Sequence, residues 1–365
     1  MQSTAAVLHA SRRLALAELP VPDRLAPDEL LLRVEGCGIC GTDYEQYAGL
    51  FEGTGKLADY PLIPGHEPVG RVERIGDAAA ARMRVQVGDR VAVQPHAGCG
   101  VCRYCTAGRM PLCPHKRVYG FVPLSVGSGL WGGFSEYMVL QGNTVLHKLP
   151  EHVSIQDAVL FNPLAAGFEW VVAIGGTGIG DDVLILGPGQ RGLAGVIAAV
   201  AAGANRIVVT GLEQDRHKLE IARSLGATET VVVDPRDPAA LTRALAGQSF
   251  DQVIDVTPFA TQPINDAIAL VRPGGTVVLG GLKGDARRLD LCPDPIVLKG
   301  IRICGARGVA TRSYALAVRA VASGAYDFGP WHTHTMGLED TELAIRVLSG
   351  ELRHGPEPLH ITIVP

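Results

Sequence analysis

The sequence predicts a mixed α/β protein, a β-rich half followed by a doubly wound parallel sheet. Three observations carry that prediction. Gly (45) and Pro (24) are abundant among the 365 residues while aromatics make up only 5%, a mix that favours short strands and tight turns over a helical bundle. Residues 1 to about 155 hold short β-branched segments bounded by Gly, Pro or Asp. From about 156 to 300, apolar strand candidates alternate with helical stretches, which implies right-handed crossovers and a parallel sheet.

The elements follow in order. Met1–Pro20 alternates apolar and polar residues like a strand pair and lacks a continuous apolar stretch, so no signal peptide is expected. Strands are predicted at Glu29–Val34, Val69–Ile75, Arg90–Gln94 and Glu136–Leu140. The second half predicts strands at Val183–Leu186, Arg206–Thr210, Thr230–Val233, Gln252–Val256 and Thr276–Leu279. Between several of them lie helices at Leu193–Ala202, Arg216–Leu225, Ala239–Leu245 and Pro263–Val271. The C-terminal segment adds helices at Ser313–Ala322 and Asp340–Ser349 and a closing strand, Leu359–Val364.

Bulk properties narrow the function. A length of 365 residues suggests two or three domains, and 47% hydrophobic residues can fill sizeable cores. Net charge is −4 and the isoelectric point about 6.3, with no long charged run, so a nucleic-acid or membrane-surface role has little support. The longest strongly apolar run, Leu193–Ala202, is far short of the roughly 20 residues of a spanning helix. A soluble, cytoplasmic chain is expected, and its eight cysteines read first as metal ligands.

Cys99, Cys102, Cys105 and Cys113 are separated by two, two and seven residues. Zn²⁺ takes four soft ligands at tetrahedral corners, and two-residue gaps let thiolates converge within a tight loop. Gly98, Gly100 and Gly108 would permit the unusual dihedrals of such a lobe. A redox or disulfide loop is the alternative. Four thiolates leave no open position, so this site would be structural.

A second constellation is Gly38-Ile39-Cys40-Gly41-Thr42-Asp43 with Gly65-His66-Glu67. A thiolate, an imidazole and a carboxylate can hold zinc and leave one position for water or substrate. Each motif alone is weak, since a lone His or Cys is usually a packed core residue; the combination is strong. The Thr42 hydroxyl could contact the substrate oxygen and pass its proton outward, and Asp43 could fix the His66 ring through its second nitrogen. A turn threonine and a turn aspartate are the plainer alternatives.

The strand Val183–Leu186 leads into Gly187-Pro188-Gly189-Gln190-Arg191-Gly192 and an apolar helix. In this context G-x-G-x-x-G is a dinucleotide signature. Gly187 makes the turn, Gly189 admits the pyrophosphate, Gly192 lets helix and strand pack, and the helix N-terminus offers free N–H donors. Thr257 joins the cofactor-binding set. The next strand should end in an acid for the ribose, yet it ends Thr210-Gly211-Leu212-Glu213-Gln214-Asp215-Arg216. Gly211 leaves room for a 2′-phosphate and points to NADP. Glu213 and Asp215 point to NAD, which is preferred, and Arg216 fits either.

These motifs, with Gly88-Asp89-Arg90-Val91 and Arg272-Pro273-Gly274-Gly275, make the chain resemble the zinc-containing medium-chain dehydrogenase/reductase family over nearly its whole length, on its sorbitol and threonine dehydrogenase side. The resemblance implies a GroES-like catalytic domain at 1–157 with a zinc lobe at about 95–118, a Rossmann domain at 158–300, a C-terminal return at 301–365, and an active site in the cleft. It implies a homodimer or homotetramer. It also implies that Cys40 and His66 are catalytic zinc ligands, and that Glu67 is a ligand in some members and states.

Two positions depart from the family pattern. Asn162 stands where Glu, Cys or Asp is common before Pro-Leu. The expectation is that Asn162 lies beside the metal and hydrogen-bonds to its water, while Cys40, His66 and Glu67 hold the ion with a net charge of zero; a helix cap is the alternative. Glu45 replaces a histidine that often serves as outer proton relay, and either Glu45 or solvent could take that role.

The implied reaction is hydride transfer between an alcohol, activated by zinc, and C4 of a nicotinamide, with Thr42 carrying the hydroxyl proton towards solvent. The segment Tyr119–Gly133, with Phe121, Val122, Leu124, Leu130 and Trp131, could join Tyr47 and Phe51 around an apolar pocket for a bulky or cyclic secondary alcohol. Core packing is the alternative. Rivals are a polyol or amino-alcohol dehydrogenase, a lyase or epimerase retaining NAD, and a non-catalytic nucleotide-binding protein.

Overall fold

A computed structural model describes residues 1–52, 59–284 and 287–365. The chain divides into two compact units, Met1–Asn162 with Ala310–Pro365, and Pro163–Val309.

The first unit opens with the antiparallel pair Gln2–Ala10 and Arg13–Pro20. Its seven-stranded sheet runs in the order His332–Gly337, His360–Val364, Glu29–Gly38, Pro68–Ile75, Arg90–Val93 and Leu146–Lys148, with Tyr137–Gln141 also paired to Glu29–Gly38. The central strand is covered on both faces, which explains its continuous run of leucines. Successive side chains point to opposite faces of a strand. Leu31 therefore joins one core, with Ala6, Ile39 and Ile361, while Leu30 and Leu32 join another with Val72, Val91 and Met138.

The second unit is a six-stranded parallel sheet in the order Glu229–Val232, Arg206–Gly211, Asp182–Leu186, Phe250–Asp255, Val271–Leu279 and Arg302–Gly305. Chain order reverses beside Asp182–Leu186, the switch point at which such sheets bind ligands at their carboxyl ends. The helix Gln190–Ala202 follows that strand and stops at Gly203, whose φ of +82° is left-handed. Leu184, Val208, Val253, Ala267 and Val277 fill the core around the sheet.

Three details differ from the sequence reading. The units meet at Asn162/Pro163 and Val309/Ala310 rather than after residues 157 and 300. Ser154 caps the helix Ile155–Val159 by accepting from the Asp157 N–H, and Ile155 packs where a side chain at Gly36 would sit, so this helix stays with the first unit. Arg302–Gly305 is a strand of the parallel sheet, paired with Thr276–Leu279, and is no part of the return segment. Finally, among the described residues the longest apolar helical run is Ile155–Ile174, 20 residues long and mostly buried inside the protein, not Leu193–Ala202.

Candidate functional site

Cys40 stands where the strand Glu29–Gly38 gives way to the helix Gly41–Tyr47. Asp43 closes that helix start, its Oδ2 accepting from the Cys40 N–H at 2.8 Å. Its other oxygen, Oδ1, lies 3.2 Å from His66 Nδ1. One buried carboxylate thus ties the thiol-bearing turn to the imidazole and turns His66 Nε2 towards Glu67, 4.0 Å from Oε1. The donor atoms of Cys40, His66 and Glu67 all lie within 4.8 Å of one another, and all three residues are buried. Ligands of one tetrahedral zinc sit roughly 3.3 to 3.8 Å apart, as bond lengths near 2.0 to 2.3 Å require, so this trio is close to converging on a common ion.

The electrostatics favour a cation there. Burial opposes the imidazolium form of His66, but the charge and hydrogen bond of Asp43, joined by Cys40, outweigh it and raise its pKa well above the ordinary value. The same negative field favours a metal ion.

Thr42 is half-buried, its Oγ1 3.7 Å from Cys40 Sγ. Glu45 lies in the same helix. Asn162 is buried beside Glu67, and both ends of its amide are engaged. Its Nδ2 donates to Glu67 Oε1 at 2.5 Å, and its Oδ1 accepts from the Tyr314 hydroxyl at 2.9 Å. Asn162 is the second residue of Phe161–Gly167 rather than a helix cap. Tyr314 was invisible to sequence reasoning, for no motif surrounds it.

The aromatic side chains sort into two groups. Phe121 packs 5.9 Å from the His66 ring and 6.4 Å from Phe51, centroid to centroid. The core takes the others. Trp131 stacks on Tyr119 and donates to the Val126 carbonyl; Val122 shares that core. Tyr47 and Leu130 belong to the opposite core, against which Leu124 packs. Trp131 and Tyr47 are therefore packing residues and not pocket walls.

Cys99, Cys102, Cys105 and Cys113 bring their sulfurs within 4.8 Å of one another, and Cys99 and Cys105 are 4.0 Å apart. Two thiolates on one zinc stand about 3.8 Å apart, so the lobe fits a tetrahedral ion. Backbone N–H groups of Val101 and Cys102 lower the Cys99 thiol to about 6, towards the ligating thiolate. Gly100 and Gly108 have positive φ. Gly98 does not; a side chain there would collide with Cys105 Sγ at 2.5 Å.

In the second unit Gly187 has φ +105°. A Cβ on Gly192 would lie 1.9 Å from the Gly187 carbonyl oxygen, whereas one on Gly189 would meet nothing within 4 Å. The turn is thus crowded towards the helix and open above Gly189, where the helix Gln190–Ala202 begins. Arg191 lies over the Trp170 ring, 5.1 Å from its centroid. Gly211 is explained by packing, for a Cβ would meet Pro188 at 2.8 Å. Glu213 grips Arg216 through two hydrogen bonds, and Asp215 accepts from the Leu212 N–H and pairs with Lys218. Thr257 donates its hydroxyl to Asp255 at 2.6 Å and accepts from Lys283 at 2.9 Å. Lys283 also pairs with the buried Asp255 at 2.8 Å, a coupling that sequence reasoning missed.

Comparison with known proteins places these sites in context. Residues 26–151 match the family described as the alcohol dehydrogenase GroES-like domain, and residues 192–323 that described as zinc-binding dehydrogenase. A "probable alcohol dehydrogenase" of Mycobacterium tuberculosis is 40% identical, covering 99% of this chain and 98% of its own. The sorbitol dehydrogenase of Bacillus subtilis is 32% identical over 93% and 92%. Among solved structures, a Sinorhizobium meliloti protein described as a zinc-binding dehydrogenase and bound to NADP superimposes with a TM-score of 0.85 at 26% identity, covering 100% of both chains. An Escherichia coli protein described as a short chain alcohol dehydrogenase and complexed with NADH gives 0.84 at 25%, covering 100% and 99%.

Proposed function

Because the chain belongs to the zinc-containing medium-chain dehydrogenase/reductase family, we propose that it oxidises a secondary alcohol to a ketone with NAD(P), at a metal held by Cys40, His66 and Glu67. The enzyme is an oxidoreductase of the zinc alcohol dehydrogenase type. The observation that carries the site assignment is the mutual approach of those three buried donors. A three-ligand set leaves a fourth position for the substrate oxygen. Cys99, Cys102, Cys105 and Cys113 would hold a second, structural zinc.

When bound, zinc supplies Lewis acidity to the alcohol oxygen and the nicotinamide accepts the hydride. The rest falls to side chains. Thr42, at the edge of the donor set, takes the hydroxyl proton and passes it outward, by Glu45 or solvent. Asp43 holds the His66 ring. Gly187, Pro188, Gly189, Gln190, Arg191 and Gly192 receive the pyrophosphate at a helix N-terminus. NAD is preferred, because Glu213 and Asp215 follow the strand Arg206–Gly211, where a ribose contact is expected, and Glu213 occupies Arg216. Thr257 belongs to the same binding set.

Phe121 beside His66, with Phe51 packed against Phe121, supports a substrate with a bulky or cyclic apolar group. A polyol or amino alcohol is the second reading, favoured by the sorbitol dehydrogenase relative. Exposed Val297, Leu298 and Ile303 support a homodimer or homotetramer. The test is an alcohol panel with NAD and NADP, run with zinc quantification. Two zinc ions per subunit are expected, with turnover lost in Cys40→Ser while the fold persists. Phe121→Ala should erode the preference for bulky over small secondary alcohols. Faster turnover of polyols, or an unchanged preference in Phe121→Ala, would remove the apolar-substrate reading.

A further inference from the structure

Tyr314 sits in the helix Thr311–Ala322, 152 residues beyond the Asn162 it touches. It is 2% exposed, and its ring packs between His147 and Phe161 at centroid distances of 6.0 and 5.9 Å. Its hydroxyl donates to Asn162 Oδ1.

That bond and the acceptor-only carboxylate of Glu67 together hold the amide in one orientation. An asparagine side chain has a donor end and an acceptor end of almost equal size. With the oxygen engaged by Tyr314, the NH₂ is presented to Glu67 Oε1. Turned over, the amide would press one buried acceptor against another and leave the carboxylate without that donor. Glu67, Asn162 and Tyr314 are 1%, 6% and 2% exposed, so water cannot easily substitute. The other flank of Glu67 is also crowded. A Cβ on Gly38 would lie 2.6 Å from Glu67 Oε2 and 3.1 Å from Nε2 of the fully buried His360. The carboxylate is thus bounded on both sides.

Resting on the metal-site reading above, we propose that Tyr314 is a positioning residue for Glu67. It fixes the Asn162 amide, and through it the angle at which the carboxylate meets the ion. Without the hydroxyl, the amide oxygen loses its anchor, and the donor that meets Glu67 is no longer held at one angle.

The test compares wild type with Tyr314→Phe and Asn162→Leu, each purified as holoenzyme. Tyr314→Phe keeps the ring between His147 and Phe161, and Asn162→Leu keeps the volume. Zinc affinity is measured by chelator competition, and the ligand field by substituting Co²⁺ at the site that exchanges. Tyr314→Phe should weaken the exchangeable ion by about ten- to hundredfold, the usual effect of removing a partner of a metal ligand. It should shift the Co²⁺ absorption bands while the four-cysteine ion stays bound. Asn162→Leu should do at least as much, and it carries the test alone if Tyr314→Phe loses the four-cysteine ion. Wild-type affinity and wild-type bands in a folded Tyr314→Phe protein would overturn the proposal. A wild-type protein that holds only the four-cysteine ion would overturn the metal-site reading with it.

Discussion

Asp43 splits its carboxylate between a helix start and His66, and Asn162 splits its amide between Glu67 and Tyr314. Around a metal, such shared groups set charge as well as geometry. With Cys40 and Glu67 as its anionic ligands, a zinc site is neutral, and Asn162 adds nothing to that sum. Asn162→Glu would add one negative charge beside Glu67, so the alcohol would hold its proton more tightly. The rise of alcohol-oxidation rate with pH should then move to higher pH by about one to two units, from a Coulomb interaction in an intermediate dielectric. A pH–rate profile identical to wild type would contradict the charge argument. The converging donor groups of Cys40, His66, Glu67 and the four cysteines could be picked out from sequence because candidate metal ligands come in short, spaced motifs. Tyr314 could not, since a tyrosine on a distant helix carries no such mark. Trp131 misled for the opposite reason. A large aromatic in a loop suits a pocket or a core equally, and only its stacking on Tyr119 decides for the core.

Among the elements, the helix Gln190–Ala202 is the most tightly seated against its turn. A methyl at residue 192 has no space beside the Gly187 carbonyl. Gly192→Ala must displace the helix, and overpacking of this sort costs about 1–3 kcal/mol. Its melting temperature should drop, and NADH titration followed by fluorescence should show weaker binding. Wild-type affinity would mean that the turn does not seat the pyrophosphate. The parallel strands and most of their helices were legible because apolar segments alternate with glycine-marked turns. The edge strand Arg302–Gly305 was not, being short and largely exposed. The helical run Ile155–Ile174 was hidden by Pro163 and Gly167, which usually signal a break.

Over the whole molecule, buried histidines set an acid limit. Burial alone pushes His147 down to about 4, and burial with His332 nearby pushes His360 down to about 3. Both are neutral in the folded state, whereas the unfolded chain protonates them near pH 6.5. Below that pH the unfolded state takes up more protons, so stability is complete above pH 6.5 and falls towards pH 3. At pH 5 each histidine removes roughly 2 kcal/mol. Urea melts at pH 7 and pH 5 should show the loss, and His147→Leu should lose less than wild type; an equal loss would rule His147 out. Domain limits were only approximately readable, because the switch between units falls inside helical and strand-rich stretches without a linker. The strand His360–Val364 lies between Glu29–Gly38 and His332–Gly337, and Ile361 and Ile363 complete a core begun by Ala5–Leu8. A ribosome making this chain therefore finishes the middle unit long before the outer one. Ala5–Leu8 and Glu29–Gly38 are made long before their partner His360–Val364 and must wait for it partly uncovered, which makes that interval the time when a holdase chaperone has most to protect.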